Sequence, residues 1–207
     1  MRLSLPERAH ELLSSHDVPL EIVTLSEPHA FPENELIVTG IAKRDGETLF
    51  VKNTKPDREW ELPSGTVEDG ESLEEAMHRE FLEETGCPVE ESEPVMVLVW
   101  AFPDSLLTQV IYHITCGPQE GETVDEIAET RWMDEIPADV SFGSISREAF
   151  EDLLELDNED ALSRLRDLLD GPIKSRKSLA AGAATGGLAV LALAHRYLPR
   201  KESSTEE

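Results

Sequence analysis

An α/β (α+β) layered domain is the fold class that the sequence predicts, on three observations. Six apolar runs of strand length recur along the chain, and four helix-like patterns interrupt them. Gly, Pro and Asp punctuate the junctions, as they do where short strands and helices alternate in packed layers. Hydrophobic residues make up 39% of the 207, enough to fill a sizeable core.

Each element has its own signal. A helix is expected from Pro6 to Ser14, because Pro suits the first turn and Leu12 and Leu13 give the helix an apolar side. Leu20–Leu25 reads as a strand, followed by a loop holding Pro28 and Pro32. Strands at Glu35–Ala42 and Thr48–Asn53 flank Arg44, Asp45 and Gly46, where the Asp-Gly pair marks a hairpin turn. Lys55–Gly70 is turn-rich and leads into a helix at Leu73–Thr85. Strands at Val95–Phe102 and Leu106–Cys116 flank Pro103 and Asp104, and a shorter strand covers Ile127–Met133. Helices fit Ser146–Leu156 and Glu159–Leu169.

Composition divides the chain at Gly171 and Pro172. Residues 1–170 carry 41 acidic and 12 basic side chains, a net of −29, whereas residues 171–207 carry 3 acidic and 6 basic, a net of +3. The whole chain stands at −26. Surface acidity of this size repels a nucleic-acid backbone, so nucleic acid is not an expected partner. A carboxylate-rich, lysine-poor surface fits a salt-rich cytoplasm, where screening shortens charge repulsion to about 3 Å at 1 M salt. The competing reading is an ordinary solvated surface. Cys87 and Cys116 are too few for a disulfide framework and are expected reduced and buried. No apolar run of signal-peptide length opens the chain, so the first domain is expected in the cytoplasm.

The stretch from Gly65 to Cys87 is the most informative. Ser72 with Glu75 three residues on is a capping-box pattern, and Gly86 suits a left-handed helix end. Between them Glu80, Glu83 and Glu84 stand at i, i+3 and i+4, so three carboxylates share one helical face. Met77 and Phe81 fall on the adjoining face and can anchor it to a core. Like charges so placed repel, and a hard, oxygen-seeking cation such as Mg²⁺ reverses that penalty. Taken alone, the triad reads more readily as a solvated acidic helix, common in so acidic a chain.

The full pattern, G-x5-E-x7-R-E-U-x-E-E-x-G-U with U a bulky apolar residue, resembles the box of the Nudix hydrolase family. All seven fixed letters are present at Gly65, Glu71, Arg79, Glu80, Glu83, Glu84 and Gly86. Cys87 stands where an aliphatic residue is usual, and Ser64 replaces a Gly in the lead-in that begins at Trp60. The resemblance covers about residues 35–156. It implies an α/β/α sandwich with a mixed central sheet, and Mg²⁺ (or Mn²⁺) held by Glu80, Glu83, Glu84 and the Gly65 carbonyl. It also implies that Glu80 is a ligand or the base, that Arg79 orients it, and that Glu71 and Gly86 are structural. The reaction implied is cleavage of a nucleoside diphosphate derivative. Many members add a later carboxylate, for which Glu126 and Glu129 are candidates. Pro103 lies 16 residues beyond Cys87, where a proline is associated with ADP-ribose pyrophosphatases. Plain turn chemistry explains it as well. A (d)NTP pyrophosphatase and a non-catalytic nucleotide sensor are the alternatives. Trp100, with Phe102 and Trp132, is a candidate to stack on the base, although buried aromatics are usually core.

Ser178–Ala194 is 17 residues without charge, flanked by three basic residues on each side. It reads either as a C-terminal membrane anchor near the lower length limit or as a peripheral tail. A homodimer is compatible with the sequence.

Overall fold

The computed structural model describes residues 5–25, 35–54, 59–103, 105–140, 147–156 and 164. The helix expected at Glu159–Leu169, apart from Arg164, and the segment 171–207, with its uncharged Ser178–Ala194 run, lie outside the described residues. Among the described residues, no helix is long and apolar enough to cross a membrane.

The elements run α1 (Glu7–Ser15), β1 (Leu20–Thr24), β2 (Glu35–Arg44), β3 (Glu47–Asn53), β4 (Trp60–Glu61), β5 (Ser64–Thr66), α2 (Leu73–Thr85), β6 (Val89–Ala101), β7 (Leu106–Cys116), β8 (Ile127–Met133) and α3 (Arg147–Leu154). Eight strands form one mixed sheet in the order β1-β6-β7-β2-β3-β4, with β5 on β2 and β8 on β3. β1 runs parallel to β6 and β2 parallel to β7, while β6 and β7 form an antiparallel hairpin. Asp45 and Gly46 both take positive φ, 55° and 87°, as a two-residue hairpin turn between β2 and β3 requires.

Two strand segments depart from the expectation. β6 begins at Val89, six residues before Val95, because the acidic run to Pro94 pairs with β7 through two register irregularities. A proline and solvent-facing glutamates hide a strand from any apolar alternation. Within the turn-rich Lys55–Gly70 region lie β4 and β5, of two and three residues, too short to show a period.

Side-chain alternation splits the core into two layers. Leu36, Val38 and Ala42 of β2 join Val97, Val110 and Tyr112 under α1 and α2. Ile41, Met96, Leu98 and Ile111 point the other way, under Phe150, Leu153 and Leu154 of α3. The result is the expected sandwich of helices on both faces of a mixed sheet.

Gly40 shows how closely α2 is seated. A Cβ there would come within 2.9 Å of Phe81 Cδ2, 3.1 Å of Met77 Cε and 3.1 Å of Ile114 Cγ1. Gly40→Ala is therefore expected to cost about 1–3 kcal/mol through overpacking. A lowered urea midpoint at unchanged slope would record it, and an unchanged midpoint would show that α2 shifts freely.

Of the two free cysteines, Cys87 is buried and Cys116 only half-buried, which corrects the expectation that both are enclosed. Cys116 ends β7, where the sheet opens to solvent. Burial, and secondarily Cys87 beside it, pushes its thiol up to about 11. At pH 8 the reactive thiolate is then scarce, so Cys116 should react with a disulfide reagent about tenfold or more slowly than a free thiol. Labelling at the rate of a free thiol would contradict that environment.

Candidate active site

The carboxylate helix is built as its sequence dictates. Ser72 Oγ accepts from Glu75 N at 3.2 Å, and Glu75 Oε2 accepts from Ser72 N at 2.8 Å, completing the capping box. Gly86 closes the helix at φ 69°, and a Cβ there would lie 2.5 Å from the Gly121 carbonyl oxygen. The end carbonyls of α2 are taken up by the segment that follows β7. Val124 N donates to Glu83 O, Thr130 Oγ1 to Glu84 O, and Glu120 N and Gly121 N to Gly86 O. Met77 and Phe81 are fully buried and hold the inner face against the sheet.

Arg79 organises the other side. Its Nε and Nη2 donate to the two oxygens of Glu71 at 2.8 and 2.9 Å, a bidentate pair. Its Nη1 donates to Glu80 Oε1 at 2.7 Å and its Nη2 to the Thr66 carbonyl at 3.0 Å. Glu83 Oε2 stands 3.5 Å from the same Nη1. The Arg79 hydrogen bonds hold the Glu71 carboxyl below the ordinary glutamate range. Glu80 shifts the opposite way: burial raises it and outweighs Arg79, with Glu83 and Glu71 adding to the rise.

Glu80 lies directly against Gly65. A Cβ on Gly65 would fall 1.9 Å from the Glu80 Cδ and 2.2 Å from its Oε2. Glu84 Oε2 accepts from Ser64 N at 2.8 Å. β5 therefore passes beneath the acidic face, anchored to β2 through Ser64 opposite Thr39 and Gly65 opposite Val38. Ser64 does not have positive φ, so the lead-in tolerates a side chain there, and its function is carried by a backbone N–H that any residue but proline supplies. Ser64, whose backbone N–H holds the Glu84 carboxylate, and Thr130, whose hydroxyl holds the Glu84 carbonyl, carry no signal in the sequence, because each bond has a main-chain group at one end.

With Glu80 tied to Arg79 and Glu84 to Ser64, no three acidic, His or Cys side chains among the described residues converge as a ready cation cage. The donor set still suits a hard divalent ion, since all its atoms are carboxylate or carbonyl oxygens. The bare Cα of Gly65 is the feature that fits: it lets the Glu80 carboxylate lie against β5, in space that any side chain would occupy.

The remaining candidates make bonds of their own. Glu129 pairs with Arg131, and the Glu126 carbonyl accepts from Thr54 N at 2.7 Å in the turn before β8. Neither pairing involves a box residue. Trp100 is buried in the layer under α3, on the face away from α2. Its Nε1 donates to Gln109 Oε1 at 3.1 Å, and Gln109 Nε2 donates to Thr39 Oγ1 at 2.7 Å. Its burial gives Trp100 a core role, the alternative to stacking on a base. Pro103 is exposed in the β6–β7 turn, which Phe102 N closes onto the Ser105 carbonyl at 3.0 Å.

Comparison with known proteins agrees with this fold. The chain is 29% identical over 132 residues to the NAD-capped RNA hydrolase NudC of Escherichia coli O1:K1 / APEC, covering 61% of this chain and 50% of that protein. It thus spans about half the length of the curated relatives it matches. Among solved structures it resembles the Bacillus subtilis pyrophosphohydrolase BsRppH, with a TM-score of 0.51 and 22% identity over 72% of this chain and 90% of that one. A MutT NUDIX hydrolase from Burkholderia pseudomallei gives a TM-score of 0.48 and 22% identity, over 60% and 98%. The NUDIX domain itself matches residues 35–153, from the first residue of β2 into α3, and on that match the chain belongs to the Nudix family.

Proposed function

We propose that the chain is a Mg²⁺-dependent hydrolase, with Mn²⁺ as a substitute, that cleaves the pyrophosphate linkage of a nucleoside diphosphate derivative, ADP-ribose foremost. The observation that carries this reading is the Glu80 carboxylate held by Arg79 against the bare Cα of Gly65. Glu80, Glu83, Glu84 and the Gly65 carbonyl would hold the metal. When bound, Mg²⁺ would polarise the diphosphate and acidify a water.

The side chains supply the rest. Arg79 takes Oε1 of Glu80, leaving Oε2 as the oxygen that receives a proton. Burial raises the proton affinity of Glu80 toward what a general base needs, and the guanidinium fixes its direction. Glu71, saturated by Arg79, holds the loop and stays out of the chemistry. Of the two later carboxylates we assign an assisting role to Glu126, because Val124, two residues before it, is bonded to the Glu83 carbonyl.

Pro103 favours ADP-ribose through the family resemblance. A second reading is supported by the relatives named NAD-capped RNA hydrolase. NAD carries the ADP-ribose skeleton and the same P–O–P bond, so the two readings share a reaction and differ only beyond the distal ribose. The test is a panel of ADP-ribose, NAD⁺, NADH, NAD-capped RNA and dNTPs with Mg²⁺ in molar salt, followed by nucleotide chromatography. AMP should appear, with the highest kcat/KM for ADP-ribose. A higher kcat/KM for NAD⁺, NADH or NAD-capped RNA would favour the second reading. Absence of hydrolysis across the panel, with nucleotide binding retained, would favour the sensor.

A further inference from the structure

The loop Val67–Glu71 decides where α2 begins, and it is crowded with like charge. Glu68, Asp69 and Glu71 lie within four residues, and Glu74 and Glu75 follow on the first turn of the helix. Arg79 holds one side of this loop through Glu71 and the Thr66 carbonyl. A second cation reaches it from far off in sequence. Arg8, in the first turn of α1, donates from Nη1 to the Glu68 carbonyl at 3.0 Å.

The Glu68 peptide is thereby held on both sides. Its N–H donates to Glu71 Oε2 at 3.1 Å, and its carbonyl also accepts from Glu71 N at 3.2 Å. From there the contacts continue without a gap: Glu71 to Arg79, Arg79 to Glu80, Glu80 against Gly65. The brace has a firm base, because Leu5, Ala9 and Leu12 are buried in the same layer as Leu73, Ala76 and Met77 of α2. Both α1 and β1 precede the 35–153 segment that the family matches, so the family pattern does not account for this contact.

We propose that Arg8 is a positioning residue for the metal site: it pins the Glu68 carbonyl and so holds the Glu71–Arg79–Glu80 chain in register. The proposal rests on the reading that Glu80, Glu83 and Glu84 hold a divalent cation. Without Arg8, the acidic loop loses its cation on the α1 side, Glu71 is free to swing outward, and Arg79 no longer presents Glu80 in one orientation.

The test uses the full chain, with Arg8→Ala, Arg8→Met (which keeps an apolar stem), Arg8→Lys and a control, Glu11→Gln, on the same helix. Mn²⁺ affinity is read by electron paramagnetic resonance, alongside the Mg²⁺ concentration for half-maximal turnover and the thermal midpoint. Arg8→Ala and Arg8→Met should weaken Mn²⁺ binding and raise the Mg²⁺ requirement by about threefold to tenfold, below the effect of removing a residue that bonds a ligand directly. KM at saturating Mg²⁺ should stay put, Arg8→Lys should restore part of the affinity, and Glu11→Gln should change nothing. A lowered thermal midpoint with unchanged Mn²⁺ affinity would confine Arg8 to stability and overturn the proposal. Wild-type protein that binds no Mn²⁺ would overturn the metal-site reading itself, which separates the two failures.

Discussion

Glu83→Gln and Glu84→Gln should each lower turnover by about a hundredfold to ten-thousandfold while the fold persists. The substitution keeps size and shape and removes one negative charge. Glu83 is half exposed, so nothing in the core responds to its neutralisation. Glu84 receives the Ser64 N–H on Oε2, and a glutamine carbonyl oxygen can accept the same bond. Relief of like-charge repulsion along the helix face should leave the metal-free protein as stable as wild type or slightly more so. Metal binding responds in the opposite direction, because a neutral amide is a poorer ligand for a hard cation. The readouts are kcat at saturating substrate and Mg²⁺, Mn²⁺ affinity, and the thermal midpoint without metal. Wild-type turnover in both variants would sink the metal assignment. Glu80→Gln gives a further division: a large fall in kcat with metal affinity nearly intact would mark Glu80 as the base, whereas loss of both would mark it as a ligand.

Much of this site was legible because its signals are local. The capping box, the left-handed Gly86 and the i, i+3, i+4 spacing all lie within one helix, and α2 falls at the expected Leu73–Thr85. β7 and β8 also match, since each runs at full length between turn signals. Legibility failed where the cause is distant. β4 and β5 exist only because β3 and β2 offer edges to pair with, and two or three residues show no period. The first half of β6 is polar because it pairs at a solvated end of the sheet, where burial places no demand on its composition. The Arg8–Glu68 contact spans 60 positions and ends on a carbonyl, an acceptor that every residue possesses. The box nominates the carboxylates, and the tertiary structure shows what holds them.

Gly65→Ala puts that division to the sharpest test, because it changes no charge and removes no ligand. Gly65 lies in β5, and it is not among the positive-φ glycines, so alanine meets no backbone strain there. What it meets is Glu80: the added methyl would sit 1.9 Å from Cδ and 2.3 Å from Oε1, inside any allowed contact. The obstacle is the end of a flexible side chain, so the fold can yield by rotating Glu80 outward, at a cost of about 1 kcal/mol for an off-optimum rotamer and a weakened hydrogen bond. Function has no such escape. A rotated Glu80 leaves Arg79 Nη1, and misplacement on the scale of 1 Å costs about a hundredfold in rate. The expected result is therefore a split: a small fall in the urea midpoint and a fall in kcat of about a hundredfold or more. Wild-type kcat in Gly65→Ala would mean that catalysis does not need Glu80 where the structure holds it. A protein unfolded by this one methyl would mean that Glu80 cannot move, and that the Arg79 clamp is a far stiffer part of the fold than its partly exposed position suggests.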